Sequence, residues 1–214
     1  MTQSTPAKKP DCYPEFEHIN RYWDRVNQFW VAKILPGEYY ISSAHDEWIA
    51  TTLGSCVSAC IRDRLFGIGG MNHFMLPESN REDGEKQHWN DVATRYGSYA
   101  MEHLINDILK RGGRRENLEI KLTGGGKIIR NMSDVGIRNI EFVHRYLDLE
   151  NLDVNVVVED LGDIHARKVL YHPSTGRMRV KKLQTLHNET LVHREIEYQQ
   201  TLKAAEISGS VELF

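Results

Sequence analysis

Apolar residues recur along this chain at two spacings, and the switches between them divide it into elements. Phe16, Ile19, Tyr22, Trp23, Val26, Phe29 and Trp30 follow steps of three and four, the period of one helix face. The pattern predicts an amphipathic helix over 16–30, ended by Pro36-Gly37. Its aromatic stripe either packs on the core or offers a partner-binding face. Short apolar runs then predict strands over 38–43, 48–53, 57–63 and 66–73. Residues 78–90 are polar and read as an exposed loop. Asp91 is placed to cap a long helix whose apolar positions run from Val92 to Leu109 and which Gly112-Gly113 stops.

The second half repeats the alternation. Leu118–Leu122 reads as a strand running into Thr123-Gly124-Gly125-Gly126. Ser133-Asp134 is placed to cap a second helix carrying Ile137, Ile140, Val143, Tyr146 and Leu147. Val154–Val158 is a β-branched run, which predicts a buried strand. Pro173-Ser174-Thr175-Gly176 separates two further apolar runs and signals a hairpin. From Asn188 onward the chain is polar with few anchors, which predicts a terminal helix and a frayed end. Three parts result: an N-terminal extension over 1–33 with its amphipathic helix, a core over 34–186, and a C-terminal helical tail over 187–214. Strands and helices mix throughout, so the class is α/β or α+β, and the hairpin calls for mixed or antiparallel pairing.

Composition narrows the function. The 214 residues carry 27% charged and 40% hydrophobic residues and a net charge of −3, ordinary values for a chain with its own core. Arg114-Arg115 and the cluster Arg177, Arg179, Lys181, Lys182 are too local for a nucleic-acid footprint. Cys12, Cys56 and Cys60 are odd in number and lack the spacing of a disulfide framework. The polar start, Met1–Pro10, has no signal-peptide core. A reduced, cytoplasmic protein is the expectation.

One stretch carries chemistry. Thr51-Thr52-Leu53-Gly54-Ser55-Cys56-Val57 puts a cysteine on a tight turn at the mouth of a strand, and His73 ends the next apolar run. A thiol and an imidazole that converge form the minimum apparatus for nucleophilic acyl transfer. Gly54 and Ser55 let the chain turn sharply and present backbone N–H groups to an oxyanion. Thr51 or Thr52 could hold the imidazole; alternation along a strand turns only one of them inward. Against this stands a buried cysteine that only fills space, which is the simplest reading of Cys60. A zinc site from Cys56, Cys60 and His73 lacks an evident fourth ligand, and nothing in the spacing of His45 or His88 requires them. Gly126-Lys127 is not a phosphate loop: Ile128 follows the lysine where Ser or Thr is needed, and the first glycine is missing. The glycines at 124–126 read instead as a turn that lets backbone approach the site.

The same residues resemble the CheD family, the chemoreceptor glutamine deamidases of bacterial chemotaxis. The likeness rests on an ordered set: Pro36-Gly37-Glu38, Thr-Leu-Gly-Ser-Cys-Val at 52–57, His73 with Met75-Leu76-Pro77, Arg95-Tyr96, Ala100-Met101, Asn139, Asp160-Leu161-Gly162, Arg167 and Thr175-Gly176. It covers about residues 34–185. It implies a β-sandwich-like mixed sheet core flanked by helices, similar to bacterial toxin deamidases. It also implies a Cys-His-Thr triad with Cys56 as nucleophile, His73 as general base and acid, and Thr51 ahead of Thr52 as third member. The implied reaction turns receptor glutamines into glutamates through a thioester, with no cofactor and no metal. The implied partners are chemoreceptor cytoplasmic domains and a CheC-type phosphatase, with no nucleic acid and no membrane insertion. The alternative is a non-catalytic binding module that engages the same partners. The chain departs from the family at 123–126, Thr-Gly-Gly-Gly where relatives often carry Phe-Gly-Gly-Ala, and at Asp163, where a second glycine is common.

Overall fold

A computed structural model describes residues 7–77, 92–128, 135–183 and 188–208. Ten strands form two five-stranded sheets. In chain order they are β1 (Asn20–Asp24), β2 (Phe29–Lys33), β3 (Tyr39–Ser42), β4 (Glu47–Leu53), β5 (Val57–Asp63), β6 (Gly69–Asn72), β7 (Leu118–Gly124), β8 (Val156–Leu161), β9 (Ala166–His172) and β10 (Arg177–Leu183). The helices are α1 (Val92–Lys110), α2 (Val135–Leu149) and α3 (Asn188–Ser208). One sheet has the order β1-β2-β4-β9-β10 and the other β3-β6-β5-β7-β8. Pairing is antiparallel except for β2 with β4 and β7 with β8. The mixed α/β expectation holds.

Strand β5 explains the layering. Six of its seven residues are buried and only Arg62 is not, so both of its faces are covered. One face meets α1 and α2, where Phe74 beside it stacks edge-on against Phe142. The other face meets the first sheet, where Tyr171 of β9 lies against Cys60 and Arg62. The chain steps between sheets at Gly54-Ser55, between β4 and β5. That crossing point is where the chemistry-bearing residues gather.

Two expectations fail. The stripe over 16–30 is not a helix: a short 3-10 turn (Pro14–Phe16) leads into the β1–β2 hairpin. The Asp24 carboxylate accepts the N–H groups of Val26 and Asn27, and Gln28 takes φ 57°. That local turn breaks the helix, and Trp23 pairs across it with Trp30. Nor is Val154–Val158 a buried strand. Val154 lies in a 3-10 turn before β8 and is 82% exposed, and Val157 and Val158 are 56% and 41% exposed because β8 is the edge of its sheet. Elsewhere the punctuation works as expected. At the end of α1, Gly112 takes φ 99° and the N–H groups of Gly112 and Gly113 return to Leu109 and Ile108. The loop at 78–90 and the caps Asp91, Ser133 and Asp134 lie outside the described residues. No helix among the described residues is long and apolar enough to cross a membrane.

Candidate active site

The turn Gly54-Ser55-Cys56 is fixed from behind through its carbonyls. Gly126 N–H donates to the Gly54 carbonyl at 2.7 Å, and Gly125 N–H to the Cys56 carbonyl at 2.7 Å. Asn139 Nδ2 of α2 donates to the Ser55 carbonyl at 2.8 Å. The Asn139 Oδ1 in turn accepts Leu76 N–H at 2.8 Å, tying the cysteine turn to the segment after His73. With three consecutive carbonyls held inward, the amides of Gly54 and Ser55 are free to face the other way. Gly124, at φ 118°, makes the approach possible: a Cβ there would stand 2.2 Å from the Cys56 carbonyl oxygen. The glycine run thus serves as the close-approach turn expected from its sequence.

Cys56 and His73 are joined by a ladder. Val57 and Phe74 exchange both backbone hydrogen bonds at 3.0 Å. Cys56 and His73 each precede one member of that bridge, so they form a diagonal pair on one face. Phe74 points to α2, so this pair points the other way, towards β4. There Thr51 Oγ1 lies 2.7 Å from His73 Nδ1 and donates to the Ile34 carbonyl at 3.0 Å. A hydroxyl has one proton. Given to Ile34, it leaves Thr51 to accept the Nδ1–H of His73, and Nε2 keeps its lone pair. Nε2 is buried and has no partner among the described residues. Burial pushes the imidazole down to about 3, so it is neutral. Thr51, and not Thr52, is the threonine hydrogen-bonded to His73; the alternation of β4 turns Thr52 away, and it stays partly exposed.

A residue that sequence reasoning did not single out completes the site. Glu195 of α3 is 3% exposed. Its Oε1 accepts Gly54 N–H at 2.9 Å and Ser55 N–H at 3.0 Å, and its Oε2 accepts Ser55 Oγ–H at 2.6 Å. Burial, and then the charge and hydrogen bond of this carboxylate, hold the Cys56 thiol well above its ordinary value. The resting pair is therefore a neutral thiol and a neutral imidazole, set diagonally across the Val57–Phe74 bridge. The available signal was the stripe Leu191, Glu195, Tyr198, Gln199, Leu202, spaced by three and four within a polar segment. A carboxylate in that stripe has no partner in its own helix.

Cys60 does not join the site. It lies four residues further along extended chain, about 13 Å at strand rise, too far to share one ion with Cys56. It is buried, paired across the sheet with Met71 and close to Tyr171. His88 lies outside the described residues, and His45 stands at the far end of β4, where its carbonyl is bonded by His172. Among the described residues no group of three or more His, Cys, Asp or Glu side chains could hold a metal ion.

By sequence, the family model and the curated relatives point the same way. A family model described as "CheD chemotactic sensory transduction" matches residues 75–182. A protein of Halorhodospira halophila named "Probable chemoreceptor glutamine deamidase CheD" is 51% identical over 96% of this chain and 94% of its own. Proteins with the same name from Hahella chejuensis and a Janthinobacterium species are 47% and 53% identical, over 99% and 92% of this chain and 98% and 97% of theirs.

Proposed function

This chain belongs to the CheD family, and from that premise we propose that it is a protein-glutamine deamidase of chemotaxis, converting glutamines of chemoreceptors (methyl-accepting chemotaxis proteins) to glutamate. The observation that carries the reading is the Thr51–His73 hydrogen bond, one diagonal step across the Val57–Phe74 bridge from Cys56 and the two amides of its turn. In this reading Cys56 is the nucleophile, His73 the general base and acid, and Thr51 the residue that orients the imidazole. His73 Nε2 takes the thiol proton as Sγ attacks the amide carbon. The N–H groups of Gly54 and Ser55 receive the oxyanion. His73 then protonates the amide nitrogen, the C–N bond breaks, and ammonia leaves a thioester on Cys56. Water, deprotonated by the same imidazole, cleaves the thioester to a glutamate carboxylate and restores the thiol. A neutral thiol and a neutral imidazole suit this cycle, because the proton passes between them only when substrate is present.

The test uses receptor cytoplasmic fragments and mass spectrometry. Wild-type protein is expected to convert glutamine to glutamate, and Cys56→Ala to lose at least about a thousandfold in rate. Fragments left unconverted by the wild type would sink the reading. Complete burial of Cys56 favours a second reading, a binding module that engages receptors or a CheC-type phosphatase without chemistry. Full rescue of chemotaxis by Cys56→Ala in a deletion strain would select it. Either role places the protein in the cytoplasm with the receptor domains it engages.

A further inference from the structure

The cradle made by the Gly54 and Ser55 amides is filled, and what fills it is the chain's own glutamate. We propose that α3 occupies the substrate groove and that Glu195 stands there as a built-in product, so that the enzyme rests self-occluded; the proposal builds on the deamidase reading. A deamidase that acts on protein glutamines releases a glutamate side chain, and Glu195 is such a side chain seated on the oxyanion donors beside the nucleophile. Its partners among the described residues are those amides, the Ser55 hydroxyl and the Cys56 thiol. A carboxylate used only to anchor a helix would be expected to meet a cation, and none among the described residues is bonded to it. The closeness of the fit shows at Gly54, where a Cβ would lie 2.6 Å from Glu195 Oε1.

The rest of α3 closes the way in. Leu191, Arg194 and Glu195 form one wall of the narrow pocket whose other wall holds Thr51 and His73. Substrate cannot reach His73 through that pocket while the helix stays docked. The docking rests on few side chains, among them Tyr198, half-buried against the core and hydrogen-bonded to Tyr96. Leu191 and Leu202 are the buried apolar side chains of α3 among those described, and the buried Gln199 amide Nε2 has no hydrogen-bond partner there. A receptor helix that presents glutamine in place of Glu195, with an apolar residue four positions before it, fits the same seat.

Cysteine alkylation by iodoacetamide, mapped by peptide, reads the docking without any substrate. In full-length Glu195→Ala, Cys56 is expected to react about tenfold faster than in wild type, since both the cover and the neighbouring negative charge are removed. Cys60, in the core, must not change. Cys56 reactivity that is unchanged, or that rises only together with Cys60, overturns the proposal. If Cys56 alone accelerates but no form of the protein deamidates receptor fragments, α3 is the cover and the deamidase reading is what fails. Glu195→Gln sharpens the assignment. The side chain then becomes an intramolecular substrate: Sγ–Cδ forms, Cδ–Nε2 breaks, ammonia departs, and water restores the thiol and leaves glutamate. Position 195 is expected to return to glutamate during expression or incubation, and to remain glutamine in the Cys56→Ala, Glu195→Gln double variant. A glutamine that persists at position 195, in protein able to deamidate receptor fragments, would show that the seat is not the product's, and overturns the proposal.

Discussion

The back and the front of this site are built from different materials. Behind Cys56, backbone meets backbone: Gly125 and Gly126 donate to the turn, and Asn139 bridges it to Leu76. In front, the described residues hold a helix by one carboxylate, two leucines and a tyrosine contact between Tyr96 and Tyr198. Main-chain hydrogen bonds at close approach cannot be traded for others without moving the fold. A helix docked by a few side chains can leave while the sheets stay. In the proposed mechanism the contrast assigns rigidity to the wall that aims Cys56, and mobility to the wall a protein substrate must pass.

The strongest way to break the back wall is Gly124→Ala. The new Cβ meets the carbonyl of Cys56, the proposed nucleophile, at a φ that L-residues avoid. A loss of about 3 kcal/mol or more in unfolding free energy is expected, with deamidation abolished. Asn139→Ala removes both partners of a buried carbonyl and a buried amide and should cost about 3 kcal/mol by denaturant titration. Stability unchanged in both would mean that the turn is held by something other than this wall.

The Thr51–His73 contact belongs to the back wall too, and its signature is a pH dependence. His73 titrates near 3 in the folded protein and near 6.5 unfolded. Between those values the unfolded chain binds the extra proton. Stability therefore falls as pH drops from about 6.5 towards 3, by up to about 1.4 kcal/mol per pH unit from this one group. His73→Gln should flatten that slope, and equal slopes would place the loss on other residues. Thr51→Val keeps the shape but not the acceptor. A fall of about tenfold or more in kcat is expected, with a shifted pH profile that loss of packing alone would not give.

The back wall was legible in the sequence and the front was not. Gly54, Ser55, Cys56 and the glycines at 124–126 are residue types whose conformational freedom announces a close turn, and β5 runs over the residues its apolar pattern predicts. Alternation could say that one threonine faces inward; only the bridge of Val57 to Phe74 says which face holds His73, and so selects Thr51. The aromatic stripe over 16–30 had helical spacing by accident, since an Asp24-centred turn falls within it. Glu195 was faint for a different reason. Its partners lie 140 and 141 positions away, and a glutamate in a polar helix looks solvated until the fold brings donors to it.

The smallest expected effect tests the front wall most cleanly. Leu202→Ala removes one of the two buried leucines of α3, at 7% exposure, far from the cradle in sequence. In a cooperative core such a truncation costs about 2–5 kcal/mol. If α3 opens as its own unit, the sheets do not feel it: the stability of the core should move by less than about 0.5 kcal/mol in denaturant titration. The loss should appear instead as faster amide exchange confined to α3, by about tenfold. A core destabilised as much by Leu202→Ala as by Asn139→Ala would make front and back one cooperative unit. The division of labour between a fixed wall and a moving one would then be gone.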